Sequence, residues 1–208
     1  MRFPEISAFA EESAAMDATL TRVAEEDWNR PALGEWTVKE LVAHLYRAAS
    51  LIHMSLDLPV VGPVVHDRVS YFQFDLAAEA PAIAERARTD AASGAPAELP
   101  ARFRAAWQAS AQRAANLLPD HHIATRRGTM RLDDYTATRV LELVVHHMDL
   151  RRALDLPPAP TPAAGLLTMR LLEGLLGSPR PHNLGRTRFI LTATGRIPSD
   201  DPRFPVLQ

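Results

Sequence analysis

Apolar positions recur at helical spacing along most of the chain. Ile6, Phe9, Ala10, Met16, Leu20 and Val23, with acidic residues on the opposite face, predict a helix from Pro4 to about Glu26. Asp27 to Trp36 interrupts the pattern with Pro31 and Gly34 and reads as a loop. Thr37-Val-Lys-Glu40 has the spacing of a capping box, with Thr37 capping a new helix and Glu40 reaching back. That helix runs to about Leu56 and buries Leu41, His44, Leu45, Ala48 and Ile52; Pro59 and Pro63 end it.

Val64 to Phe74 reads as a loop entering a third helix that continues to about Thr89, with a break or kink at Pro81. Ala91 to Pro100 is a linker, and Ala101 to Leu118 is helical with Phe103, Trp107, Ala111 and Leu118 in phase. Pro119 to Met130 is an irregular connection rich in His and Arg. Asp133 is placed to cap a long helix from Asp134 to about Leu154, which the Pro-rich run Leu156 to Pro162 stops. A short helix over Ala163 to Leu176 follows, and then Arg188-Phe-Ile-Leu-Thr-Ala-Thr194 gives a strand signal. The expected fold is mostly α: a four-helix bundle over residues 1–156, with a helix and a strand-like tail over residues 157–208 packed on it.

Composition narrows the function classes. A hydrophobic content of 47% supports a sizeable core, and a net charge of -2 without a basic run gives no footing for nucleic acid. No apolar run is long enough to span a membrane and no signal-peptide pattern opens the chain, so a soluble cytoplasmic protein is expected. Cysteine is absent, which removes disulfides, thiolate metal ligands and a protein thiol nucleophile. Any thiol chemistry would therefore need an imported thiol. Lys39 is the only lysine among 23 basic residues, a bias that points to a GC-rich bacterial genome.

The chemistry-bearing stretch is Arg139-Val-Leu-Glu-Leu-Val-Val-His-His-Met-Asp-Leu150. Glu142 and His146 stand one helical turn apart on one face, among Leu141, Leu143, Val144 and Val145. A carboxylate in such company is costly unless paired or bound to a metal. With His44 from the second helix they make a two-histidine, one-carboxylate set aimed into a bundle core. Three such ligands leave a fourth tetrahedral position open; zinc is the first choice, with iron, nickel and cobalt also compatible. His147 is an alternative to His146, and Glu40 an alternative ligand if it is not used in capping. A di-iron carboxylate site would need further Glu-x-x-His pairs, which are missing.

Other candidates have simpler readings. Asp149 could accept the second ring proton of His146, or pair with Arg152. His53 is expected on the far side of its helix, facing solvent or a partner, and His66, His121, His122 and His182 in surface loops. Trp36 and Trp107 read as core anchors, with Trp36 also able to line a pocket near His44. Arg68, Arg126, Arg127, Arg131 and Arg139 could each clamp an anionic group, or simply be solvated.

Two motifs carry a family resemblance. Gly34-Glu-Trp-Thr-Val-Lys-Glu-Leu-Val-Ala-His44-Leu resembles the Trp-[Ser/Thr]-Val-x-[Asp/Glu]-Leu-x-x-His-Leu signature of the DinB-like superfamily, in particular of the mycothiol-dependent maleylpyruvate isomerase family. The segment Glu142-x-x-x-His146-x-x-Asp149-Leu resembles that family's second motif, and Phe189-Ile-Leu-Thr-Ala-Thr-Gly-Arg196 its C-terminal segment. The resemblance implies a DinB-like four-helix bundle holding a divalent metal, usually zinc, on His44, Glu142 and His146. Because a wider branch of the superfamily has a third histidine where Glu142 stands, the glutamate favours the isomerase-like branch. The segment after Pro162 is short beside the full isomerase, so the resemblance does not extend to substrate contacts made by that domain or to the specific isomerase reaction.

The resemblance also implies a thiol cosubstrate, mycothiol in an actinobacterium. A metal-bound thiol, acidified to thiolate, could add to an electron-poor double bond of a small substrate. Elimination after rotation would give isomerisation, and retention of the adduct S-transfer. Metal-assisted hydrolysis and a non-catalytic regulatory module with a structural metal are the alternatives, the latter marked by a fourth protein ligand such as His147.

Overall fold

The computed structural model describes residues 3–207 and is mostly α. Its helices are α1 (Pro4–Leu20), α2 (Val38–Ser55), α3 (Leu76–Ala92), α4 (Leu99–Ala114), α5 (Leu132–Ala153), α6 (Pro162–Leu176) and α7 (Arg186–Ala193). Two antiparallel hairpins interrupt them: β1 (Pro31–Leu33) with β2 (Trp36–Thr37), and β3 (His122–Thr125) with β4 (Gly128–Arg131).

α1, α2, α4 and α5 form the bundle, with α1 against α4 and α5, and α2 against the same two. α3 lies outside it against α2, while α6 packs on α1 and α5 and carries α7. The core follows the apolar stripes: Ile6, Phe9 and Met16 of α1, Leu41, Leu45 and Ile52 of α2, Phe103 of α4, and Val140, Leu143 and Val144 of α5 are all fully buried. At about 25 cal/mol per Å² of apolar surface, it is this burial, more than helix propensity, that holds the elements.

The start of α2 is fixed as the Thr37–Glu40 spacing predicts. The Glu40 backbone N–H donates to Thr37 Oγ1 at 3.3 Å, and Glu40 Oε2 accepts the Thr37 backbone N–H at 2.7 Å. Glu40 is thereby committed to the cap and takes no part in the acidic and imidazole cluster described below.

Several sequence expectations are corrected. The first helix ends at Leu20, and Glu25–Asn29 forms a separate 3-10 turn. The expected irregular stretch before α5 is the β3–β4 hairpin, in which Ile123 pairs with Met130 and both are buried. Asp133 does not cap α5; the helix begins at Leu132, so Asp133 sits inside the first turn and pairs with Arg131 at 2.7 Å. Leu118 lies beyond the end of α4 and is 72% exposed.

The strand expected over Arg188–Thr194 is the helix α7. Its C-terminus closes in a Schellman turn: Gly195 adopts φ 73°, its N–H donates to Thr192 O, and the Arg196 N–H donates to Leu191 O. Burial of Phe189, Ile190 and Ala193 on the neighbouring elements overrides the β-branched, aromatic composition that suggested a strand.

Candidate metal centre

His44 is contributed by α2, and Glu142 and His146 by α5, at the contact between these two helices. Glu142 Oε2 lies 3.5 Å from His44 Nε2 and 3.5 Å from His146 Nε2. One donor atom from each residue falls within 4.8 Å of the other two. Donors on a tetrahedral zinc with bonds of about 2.0–2.1 Å sit roughly 3.3 Å apart, so these separations suit a single small ion. The side chains keep 16%, 22% and 13% exposure, so the cluster is recessed yet open to solvent.

The surroundings orient the donors. Asp149 Oδ2 accepts the His146 Nδ1–H at 3.0 Å, which leaves Nε2 facing Glu142. Asp149 is held in turn by Arg196, whose Nη2 donates to Oδ2 at 2.8 Å and whose Nε donates to Oδ1 at 3.2 Å. The sequence raised Asp149 as a partner of His146 or of Arg152; the pairing is with His146, and the cation is Arg196. Trp36 on β2 packs against His44, with ring centroids 5.2 Å apart and planes tilted by 54°, and the His44 and His146 rings meet edge to face at 5.0 Å.

Electrostatics favour an ionised carboxylate between imidazoles. Burial pushes the Glu142 carboxyl up, but hydrogen bonds to His146 and His44 hold it well below the usual carboxylate range. Burial dominates at His44 and lowers its pKa, favouring the neutral ring that ligates metals. At His146 burial is outweighed by the bonds to Asp149 and Glu142, which raise its pKa. Burial also opposes ionisation of Asp149, and the bonds from His146 and Arg196 bring it down to about 2.

The family model of the mycothiol maleylpyruvate isomerase N-terminal domain matches residues 9–151. The chain belongs to this family. The match spans α2 and nearly all of α5, and so includes His44, Glu142 and His146, while Arg196 lies outside it. Comparison with curated proteins and with solved structures finds no match. No helix among the described residues is long and apolar enough to cross a membrane.

The remaining histidines separate clearly from the cluster. His147 points to the other side of α5, where its Nδ1–H donates to Glu12 Oε1 at 2.7 Å and its Nε2 meets the Thr19 hydroxyl at 2.8 Å. Glu12 is fully buried, against the expectation that the acidic residues of α1 face solvent, and its Oε2 accepts both the backbone N–H and the hydroxyl of Thr161. The sequence did carry a signal for this: Glu12 is three positions from Phe9 and four from Met16, in line with the apolar stripe. His53 is not a free surface group, because α4 packs on that side of α2 and Ser110 Oγ lies 3.0 Å from its Nδ1. His121, His122 and His182 are exposed.

The arginines divide as well. Arg68 pairs with Asp134 and Glu5, Arg126 and Arg127 with Glu79, and Arg131 with Asp133. Among the described residues, Arg139 alone of the five has no carboxylate partner.

Proposed function

We propose that the chain is a metal-dependent enzyme that uses mycothiol, a low-molecular-weight thiol, for isomerisation or S-transfer on a small, electrophilic, anionic substrate. His44, Glu142 and His146 are the ligands in this reading, and zinc is the expected ion. The observation that carries it is the convergence of three donors from α2 and α5, with His147 turned away to Glu12 and no fourth protein donor joining them among the described residues. A structural metal would need that fourth donor; an open position suits substrate or thiol.

A bound divalent ion would supply Lewis acidity, lowering the pKa of a thiol so that thiolate is present near neutral pH. The chain's own residues do the rest. Asp149 fixes the His146 ring with Nε2 inward, and Arg196 holds Asp149 ionised. Trp36 packs against the His44 ring. With no cysteine in the chain, the sulfur nucleophile must come from the cosubstrate. Residues 1–156 form the metal-binding unit in this proposal and 157–208 an extension braced on it, which the Glu12–Thr161 and Asp149–Arg196 contacts support. The arginine-rich composition accords with an actinobacterial, cytoplasmic protein, where mycothiol is the expected thiol.

The test is elemental analysis of the protein after metal-replete expression, beside His44→Ala. A stoichiometric divalent ion in the wild type and its loss in the variant are expected; a metal-free wild type overturns the proposal. Cobalt-substituted protein titrated with mycothiol should develop a sulfur-to-metal charge-transfer band. Metal binding without that band would favour metal-assisted hydrolysis instead.

A further inference from the structure

Arg139 sits on α5 one turn before Glu142, on the same face of the helix. It is only 5% exposed, yet among the described residues no carboxylate lies within ion-pairing distance of it; Glu142, one turn on, acts on it only through space. Its Nε donates to Thr138 Oγ1 at 3.1 Å, and among the described residues its two terminal nitrogens have no hydrogen-bond partner. The faces of Tyr135 and Tyr71 lie 5.0 and 5.5 Å from its central carbon, and the two rings meet each other edge to face at 6.0 Å. Cation–π attraction and one hydrogen bond offset part of the desolvation cost, but they leave most of the fork's five N–H donors unmatched.

We propose that Arg139 is the anion-binding residue of this site and takes a carboxylate of the substrate in its guanidinium fork. This deepens the proposed function by naming the substrate group bound beside the metal ligands, and it rests on that reading only for the site's being catalytic. A planar carboxylate matches the two free terminal nitrogens bidentately, which neither a water nor an uncharged amide does as well. The tyrosines hold the cation in place by their ring faces without neutralising it. The charge is close enough to bear on the ligands: after burial and the histidine hydrogen bonds, it is the next influence lowering the Glu142 carboxyl, and it also disfavours protonation of His44. A substrate carboxylate seated on Arg139 would lie about one helical turn from Glu142.

The metal-free protein, as the whole chain, is titrated calorimetrically with fumarate and with fumaramide, its uncharged counterpart. Wild type should bind fumarate at least about tenfold more tightly than fumaramide. Arg139→Met should abolish the preference, and Arg139→Lys should keep part of it, because the charge remains while the fork is lost. No preference in the wild type, or an unchanged preference in Arg139→Met, overturns the assignment. Should Arg139→Met lose its helical circular dichroism, the 15N resonances of the Arg139 terminal nitrogens in wild type decide: a shift on adding fumarate supports the site, and no shift overturns it. Fumarate held by Arg139 in a protein that never takes zinc would sink the proposed function and leave this inference standing. Zinc and mycothiol binding without Arg139-dependent fumarate binding would sink this inference alone.

Discussion

At Asp149 one carboxylate serves two partners, His146 on its own helix and Arg196 from beyond α7. It touches no other member of the cluster, so any effect on the proposed ion must pass through the His146 ring. Asp149→Asn keeps the shape but removes the charge that fixes the tautomer, and should weaken metal affinity by about 10–100-fold. Competition against a chelator measures this, and unchanged affinity would remove the positioning role. Glu12 is the other buried carboxylate with consequences, facing His147 from α5 and Thr161 at the start of α6. Burial raises its pKa, but the His147 bond and charge and the Thr161 bonds outweigh it and leave the value lowered. A group depressed on folding stabilises above its unfolded pKa, and that contribution disappears as pH falls through the folded value. Glu12→Gln should therefore cost on the order of 1–3 kcal/mol at neutral pH, and the gap from wild type should close in acid. Urea unfolding at neutral and acidic pH reads both; a gap that is constant with pH would mean that the lost contact is not the ionised one.

The element scale shows where sequence and structure part. Thr37–Glu40, the long α5 and the three cluster residues were legible, because capping and 3.6-residue periodicity are local properties of a few side chains. The fate of α7 was not local: Arg188–Thr194 has strand composition, and only the buried seat of Phe189 and Ile190 and the Gly195 turn make it helical. The same tertiary contribution hid Glu12, whose partners are 135 and 149 positions away in the chain. Arg139 was one of five equivalent arginines until the partners of the other four were visible. Pro81 is a local conflict that the fold absorbs: it lies exposed inside α3, where it denies the helix one backbone hydrogen bond. Pro81→Ala should stabilise the protein by roughly 1–3 kcal/mol, read as a rise in the denaturant midpoint. No change would indicate that α3 unfolds independently of the bundle it flanks.

For the molecule as a whole, the question is why residues after α5 should matter to a cluster carried by α2 and α5. Two connections link them. Thr161, where α6 begins, is held by Glu12 and through it by His147, the neighbour of His146. At the far end, the Schellman turn after α7 directs Arg196 back onto Asp149, while Val206 and Leu207 donate their backbone N–H groups to Ala193 O and close the tail over that helix. The second connection reaches the cluster through one fewer residue, and so should be the one that transmits. Removing the guanidinium in Arg196→Met leaves Asp149, 3% exposed, with His146 as its only charged partner. The variant should show faster amide exchange in α7 and, in the same preparation once loaded with the proposed ion, faster stripping of that ion by a chelator. Substituting Thr161→Val should loosen the start of α6 with little effect on stripping, because the His146 ring keeps both Asp149 and Arg196 behind it. Faster exchange in α7 with an unaltered stripping rate in Arg196→Met would make the tail a cover for the bundle and would leave Asp149 to orient His146 unaided.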